Sequence, residues 1–236
     1  PGESGRGVID CAAMEMPQTI VDTRLEVARS LARAPIIGVV RTASTEEAAR
    51  VARLFLTSGL ELVEITFTVP GGSRLVRELL AARGAAGPPW IGMGTVTTAA
   101  RAREAVAAGS EFLVSPNTSP GMAAVAREHG KYLVLGALSA TEVVDAHELG
   151  ADLVKVWPLP PVGGPAYLSV LRQPLGDIPM LAGGGFDIEE IPAYRAAGAI
   201  AYGIGAPLLG ATREESLKRI ARALDLARGG SPEEGR

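Results

Sequence analysis

One unit recurs along the chain: a helix with an apolar face, a glycine, one or two further residues, then a short apolar strand. The glycines are Gly59, Gly109, Gly130, Gly150 and Gly198, each where a left-handed residue should end a helix before the chain turns back. Strands are expected to begin near Ile36, Leu60, Trp90, Glu111, Tyr132, Asp152, Pro179 and Ala199, with spacings between 20 and 30 residues. Ser44, Ser139 and Asp187 each stand three residues before a glutamate, the capping-box spacing that marks a helix start. Apolar strands alternating with helices require a parallel sheet covered by those helices. Eight such units in about 200 residues predict an α/β fold, a closed (β/α)8 TIM barrel. A doubly wound open sheet is the alternative, but it needs a long asymmetric connection at a switch point, and none is evident. Residues 19–33 are expected to add an N-terminal helix, with Ile20, Val21, Leu25, Ala28 and Leu31 on one face. The expectation is one barrel domain over residues 19–228, between flexible tails at 1–18 and 229–236.

Chemistry in such a barrel gathers at the C-terminal ends of the strands and in the loops that follow. Asp152–Pro158 reads as the sixth strand, and Lys155 stands in its middle. The chain holds 20 arginines but only three lysines, Lys131, Lys155 and Lys218. Arginine keeps its proton, whereas a lysine amine can release its own and attack a carbonyl. The competing reading is a structural lysine paired with a carboxylate across the core. In the second strand, side-chain alternation puts Leu62, Glu64 and Thr66 on one face, and Val63, Ile65 and Phe67 towards the helices. A lone carboxyl among apolar residues must be protonated or find a cation. Lys155 is the natural partner, as a core ion pair or as the amine beside a general base. An amine and a base together suit carbonyl chemistry through a Schiff base. The seventh and eighth strands run into Gly183-Gly184-Gly185 and Gly203-Ile204-Gly205-Ala206. Glycine-rich loops at these two places suit an anionic group held by backbone N–H donors.

Composition removes several other classes. A net charge of −3, without a long basic cluster, gives no field for nucleic acid. Cys11 is the lone cysteine, so neither a disulfide nor a thiolate metal centre can form within the chain. His129 and His147 fall just before helix-ending glycines and read as helix-end residues, so no metal site is expected. No stretch is apolar enough to span a membrane, and the cytoplasm is the expected compartment.

Six motifs, taken in order, resemble one family. They are Pro35–Arg41, Val63-Glu64-Ile65-Thr66, Gly92-Met93-Gly94-Thr95-Val96, Ser115-Pro116-Asn117, Lys155-Val156-Trp157-Pro158 and Gly183-Gly184-Gly185. The chain is similar to the 2-keto-3-deoxy-6-phosphogluconate aldolases and their relatives acting on the phosphogalactonate epimer and on 4-hydroxy-2-oxoglutarate. The resemblance implies a class I aldolase of carbohydrate metabolism, of the Entner–Doudoroff type, with Lys155 as Schiff-base lysine and Glu64 as proton carrier. It implies that Arg41, Thr95 and Pro116 line the keto-acid pocket, with Trp157 near the imine; Thr66, Thr68 and Asn117, at or just past the same strand ends, are expected to contact the substrate as well. It further implies that Gly183, Gly184, Gly185, Gly205 and Ala206 hold phosphate. No cofactor beyond the covalent imine, and a homotrimer, follow from the same resemblance. Two positions depart from the phosphogluconate pattern. Thr68 replaces an arginine that meets the substrate carboxylate, and with Pro70 looks closer to the phosphogalactonate relatives. Ala206 replaces a serine that helps hold phosphate. An unphosphorylated keto-acid aldolase, a phosphate-binding epimerase or isomerase, and a non-catalytic keto-acid-binding or scaffold barrel are the remaining readings.

Overall fold

The computed structural model describes residues 22–230. The expected tail at 1–18, and residues 231–236 of the other, lie outside them, as do Ile20 and Val21. Helix α1 (Thr23–Arg33) precedes β1 (Ile36–Val40), α2 (Thr45–Leu56), β2 (Leu62–Thr66), α3 (Gly72–Arg83) and β3 (Trp90–Gly94). There follow α4 (Ala99–Ala107), β4 (Phe112–Val114), α5 (Pro120–Glu128), β5 (Tyr132–Ala137), α6 (Ala140–Glu148) and β6 (Leu153–Val156). The chain continues through α7 (Gly164–Arg172), β7 (Met180–Gly183), α8 (Ile191–Ala196), β8 (Ala201–Ile204) and α9 (Arg213–Arg228). All eight strands are parallel, each pairs with the next, and β8 closes on β1. The fold is a (β/α)8 barrel, and the open-sheet alternative falls with that closure.

The local signals act as their chemistry requires. Gly109, Gly130, Gly150 and Gly198 follow the last residues of α4, α5, α6 and α8 with φ of 91°, 58°, 88° and 95°, in the region where a side chain is costly. Ser139 and Asp187 form reciprocal capping boxes, although that of Asp187 heads a single 3-10 turn, Ile188–Glu190, ahead of α8. Ser44 caps α2 by accepting from the Glu47 N–H. His129 caps α5 and His147 lies in the last turn of α6.

Alternation splits the strands between two cores. Val63 and Ile65 face the helices, within the layer shared with α2 and α3. Leu62, Ile37, Trp90, Phe112, Leu153 and Leu181 fill the barrel, together with Val27 and Leu31 of α1. Helix α1 therefore closes the end of the barrel where the strands begin, and Trp90 Nε1 donates to Ser30 Oγ at 2.9 Å. Leu31 and Ala28 pack against the barrel core as expected, and the expected face of α1 is corrected at Leu25. Leu25 is 47% exposed, because the helix turns Val27, Ser30 and Leu31 towards the barrel. The apolar plug leaves the other end of the barrel free for polar side chains.

Candidate active site

Glu64 rises from β2 just above the apolar layers, with Val39 of β1 and Gly92 of β3 as ladder partners. It is 1% exposed, and its Oε1 has no hydrogen-bond partner among the described residues. Burial raises the carboxyl above its ordinary pKa, while the nearby charges of Lys155 and Arg41 pull it part of the way back. The space it occupies exists because residue 94 is glycine. A methyl group built there would overlap the Glu64 carboxylate. Gly94→Ala is therefore expected to push the carboxylate aside and to lower turnover about 10²-fold, the scale of a misplacement near 1 Å. Overpacking should cost only about 1–3 kcal/mol of stability. Turnover and melting measured on one preparation check this; a Gly94→Ala variant with normal turnover would mean that the position of Glu64 is unimportant.

Lys155 lies on β6 between Gly136 of β5 and Leu181 of β7, and is 8% exposed. Two glycines make its surroundings. A Cβ at Gly183 would stand 3.0 Å from Lys155 Cε and 3.4 Å from Trp157 Cδ1, so the absent side chain leaves room for the lysine stem. A Cβ at Gly136 would overlap the Pro116 carbonyl, so that glycine admits the Pro116–Asn117 turn beside β5. The expected core ion pair between Lys155 and Glu64 is not formed as a contact: neither residue enters a hydrogen bond or an ion pair with the other. They act on each other across a gap, felt as charge rather than touch.

Arg41, just past β1, reaches over the same end of the barrel. Its guanidinium donates to Thr68 Oγ1 at 3.4 Å and to Thr95 Oγ1 at 3.3 Å. Thr66, fully buried, donates to the Val40 carbonyl at 3.1 Å and shares a 2.8 Å hydrogen bond with Thr68. Thr95 has φ of 59°, and no other non-glycine among the described residues has a positive φ. A β-branched residue in that region is strained. Arg101 helps hold it, donating to the Thr95 carbonyl at 3.4 Å and to Thr97 Oγ1 at 3.0 Å, with its guanidinium 5.4 Å from the Phe67 ring centre.

A cavity of about 230 Å³ opens over this end, lined by Arg41, Lys155 and Trp157 on one side. Gly184, Gly185, Gly205 and Ala206 form another part of its wall, with Val39, Gly203 and Pro207 between. The backbone N–H groups of Gly184, Gly185 and Ala206 donate to no acceptor among the described residues, which leaves them open to an anion. Trp157 stands one residue past β6, not within it, and is 39% exposed at the cavity edge. Gly183 belongs to β7 itself. Glu64, Thr66, Thr68, Thr95, Pro116, Asn117 and Gly183 are not among the residues that line the cavity, and the Asn117 side chain is occupied with Ser115 and Thr118. Gly203 belongs to the glycine loop that the sequence singled out, whereas Val39, Pro207 and Arg101 were not expected as site residues. Val39 lies within the Pro35–Arg41 motif and Pro207 adjoins Ala206, whereas nothing local marks Arg101. Among the described residues no group of three or more His, Cys, Asp or Glu side chains could hold a metal ion, and no helix is long and apolar enough to cross a membrane.

Comparison with known proteins meets this geometry. The family model described as "Aldolase: KDPG and KHG aldolase" matches residues 27–223. A 2-dehydro-3-deoxy-phosphogluconate aldolase of Treponema pallidum is 33% identical over 171 residues, covering 72% of this chain and 80% of the relative. A probable 2-dehydro-3-deoxy-6-phosphogalactonate aldolase of Rhizobium meliloti is 30% identical over 203 residues, covering 83% and 94%. Among solved structures, a 4-hydroxy-2-oxoglutarate/2-dehydro-3-deoxyphosphogluconate aldolase superposes with a TM-score of 0.74 at 28% identity, covering 84% of this chain and 97% of that one.

Proposed function

Because the chain belongs to the KDPG and KHG aldolase family, we propose that it is a class I aldolase cleaving a 2-keto-3-deoxy-6-phospho sugar acid to pyruvate and an aldehyde. The observation that carries this reading is one primary amine, Lys155, in the wall of the cavity with a buried, unpartnered carboxyl held nearby. Lys155 adds to the C2 ketone, the carbinolamine loses water, and an imine remains. Once protonated, that imine accepts the electron pair of the C3–C4 bond. Glu64, directly or through water, takes the proton of the C4 hydroxyl as the bond breaks and the aldehyde leaves. It returns a proton to C3 of the enamine, and hydrolysis frees pyruvate and the amine. A carboxyl with a raised pKa is suited to both directions of this transfer.

Arg41 has no ion-paired carboxylate among the described residues, and its hydroxyl partners are neutral. In this reading it receives the substrate carboxylate, with Thr66, Thr68 and Thr95 holding it in place. The open amides of Gly184, Gly185 and Ala206 receive the phosphate, their N–H donors serving where Ala206 supplies no hydroxyl. Trp157 borders the imine, and Pro116 backs it from beside Gly136, the ladder partner of Lys155. By the same reading the enzyme works in the cytoplasm as a homotrimer, with no cofactor beyond the imine.

The test is pyruvate release from the 6-phosphates of 2-keto-3-deoxygluconate and 2-keto-3-deoxygalactonate, and from 4-hydroxy-2-oxoglutarate, each before and after exhaustive chelation. Retro-aldol activity on a 6-phosphate is expected, unchanged by chelation. Loss of all activity restored by a divalent ion would overturn the imine route; cleavage of 4-hydroxy-2-oxoglutarate alone would move the substrate away from phosphorylated acids.

A further inference from the structure

We propose that the end of the barrel opposite the catalytic cavity binds a small tetrahedral oxyanion, such as inorganic phosphate, between α1, α5 and the strand entries of β5 and β6. A cavity of about 110 Å³ lies there, lined by the side chains of Arg24, Arg127, Lys131 and Asp152. The Asp152 carboxylate is already engaged at both oxygens. One oxygen takes the Arg24 guanidinium at 2.7 Å, and the other accepts the Leu133 N–H at 2.8 Å. Asp152 therefore cancels Arg24 and leaves two cations over. Arg127 spends one nitrogen on the Leu149 carbonyl at 3.1 Å. Lys131 is half-buried, and its ammonium has no hydrogen bond or ion pair among the described residues. Glu111 acts on it only at a distance, being engaged with Arg83 at 2.7 and 2.8 Å. Burial lowers the Lys131 pKa, the expected consequence of an ammonium kept from water without a counter-ion.

A simpler account is that these cations answer the C-terminal ends of α5 and α6, which border the cavity. Each helix end carries roughly half a negative charge, so two ends offset about one of the two surplus cations. About one positive charge remains in a partly open cavity, on a half-buried amine with three donors to satisfy. A small oxyanion supplies both the charge and the acceptors. The cavity is half the volume of the catalytic one, too small for a sugar acid, which makes it a separate site.

With only three lysines in the chain, the test can be read residue by residue. The whole protein is treated with limiting acetic anhydride in rising inorganic phosphate, against chloride at matched ionic strength, and labelling is mapped by peptide mass. Acetylation of Lys131 should slow saturably with phosphate, by a factor of 1 + [L]/Kd, or about tenfold at ten times the half-protecting concentration. Lys218, exposed and paired with Glu214, should label at an unchanged rate. Equal slowing of both lysines, or the same slowing in chloride, would overturn the site. Arg127→Gln should abolish the protection of Lys131 while leaving pyruvate release unchanged; protection that persists in that variant would place the phosphate elsewhere and overturn the assignment too.

Discussion

Borohydride added with pyruvate should fix one reduced pyruvyl group per chain, on Lys155, with none on Lys131 or Lys218. The expectation follows from placement. Lys155 alone among the three lines the cavity beside Arg41 and the glycine loops. Lys131 lines a cavity at the other end of the barrel, and Lys218 lies on α9 in an exposed pair with Glu214. Lys155→Arg should fold, because the guanidinium keeps the charge and the stem still fits against Gly183, but it cannot form the imine. With the covalent route closed, turnover should fall by more than the roughly 10²–10⁴ that a single acid–base group contributes. The variant should also lose all borohydride-dependent labelling. Label on Lys131 or Lys218, or a Lys155→Arg enzyme that still turns over, would end the Schiff-base assignment and return the epimerase and binding readings to the front.

The barrel was legible because its evidence is local and repeated. Glycines after helices and glutamates three residues after caps need only neighbours in the chain to act, and period-two alternation needs only the strand itself. Glu64 and Lys155 stood out for a related reason: a charge within an apolar strand is anomalous before any contact is known. What the sequence hid depends on which strands lie side by side. Gly94 and Gly136 sit within recognisable stretches, yet their work is to leave space for Glu64, from another strand, and for the Pro116 carbonyl, from the loop after β4. The left-handed Thr95, and Arg101 that holds its carbonyl, were invisible for the same reason: propensity argues against a β-branched residue there, and tertiary contacts override it. Leu25 of α1 was misjudged, while Ala28 and Leu31 were not, because helical periodicity finds an apolar stripe. It does not say that the helix will lie across the end of a barrel, where Ser30 is wanted for the Trp90 N–H and Leu25 is not.

Glu64→Gln separates chemistry from architecture. If Glu64 carries protons, the amide keeps its size beside Gly94 but has no basic oxygen, and turnover should fall by roughly 10²–10⁴. Pyruvate should still be trapped on Lys155, more slowly. If the residue were half of a contact ion pair, the same change would strand a buried ammonium and cost about 3–5 kcal/mol. The geometry argues against that cost, since Glu64 and Lys155 do not touch and Glu64 Oε1 has no partner among the described residues. The direction of the pKa shift sharpens the expectation. Burial raises the folded-state pKa of Glu64 above its ordinary value of 4.5. Between that value and the folded pKa the native state holds a proton that the unfolded chain has released, so stability falls as pH rises through the window. Above it, the full cost of a buried carboxylate remains. Glu64→Gln has no such proton to lose. The variant and the parent should therefore match in stability below about pH 4.5, and the variant should become the more stable of the two as pH rises towards neutrality. Denaturant unfolding across that range, with turnover measured on the same preparations, decides the matter. A variant that loses several kcal/mol at neutral pH and turns over normally in the cold would make Glu64 a structural post and leave the proton transfers to another group.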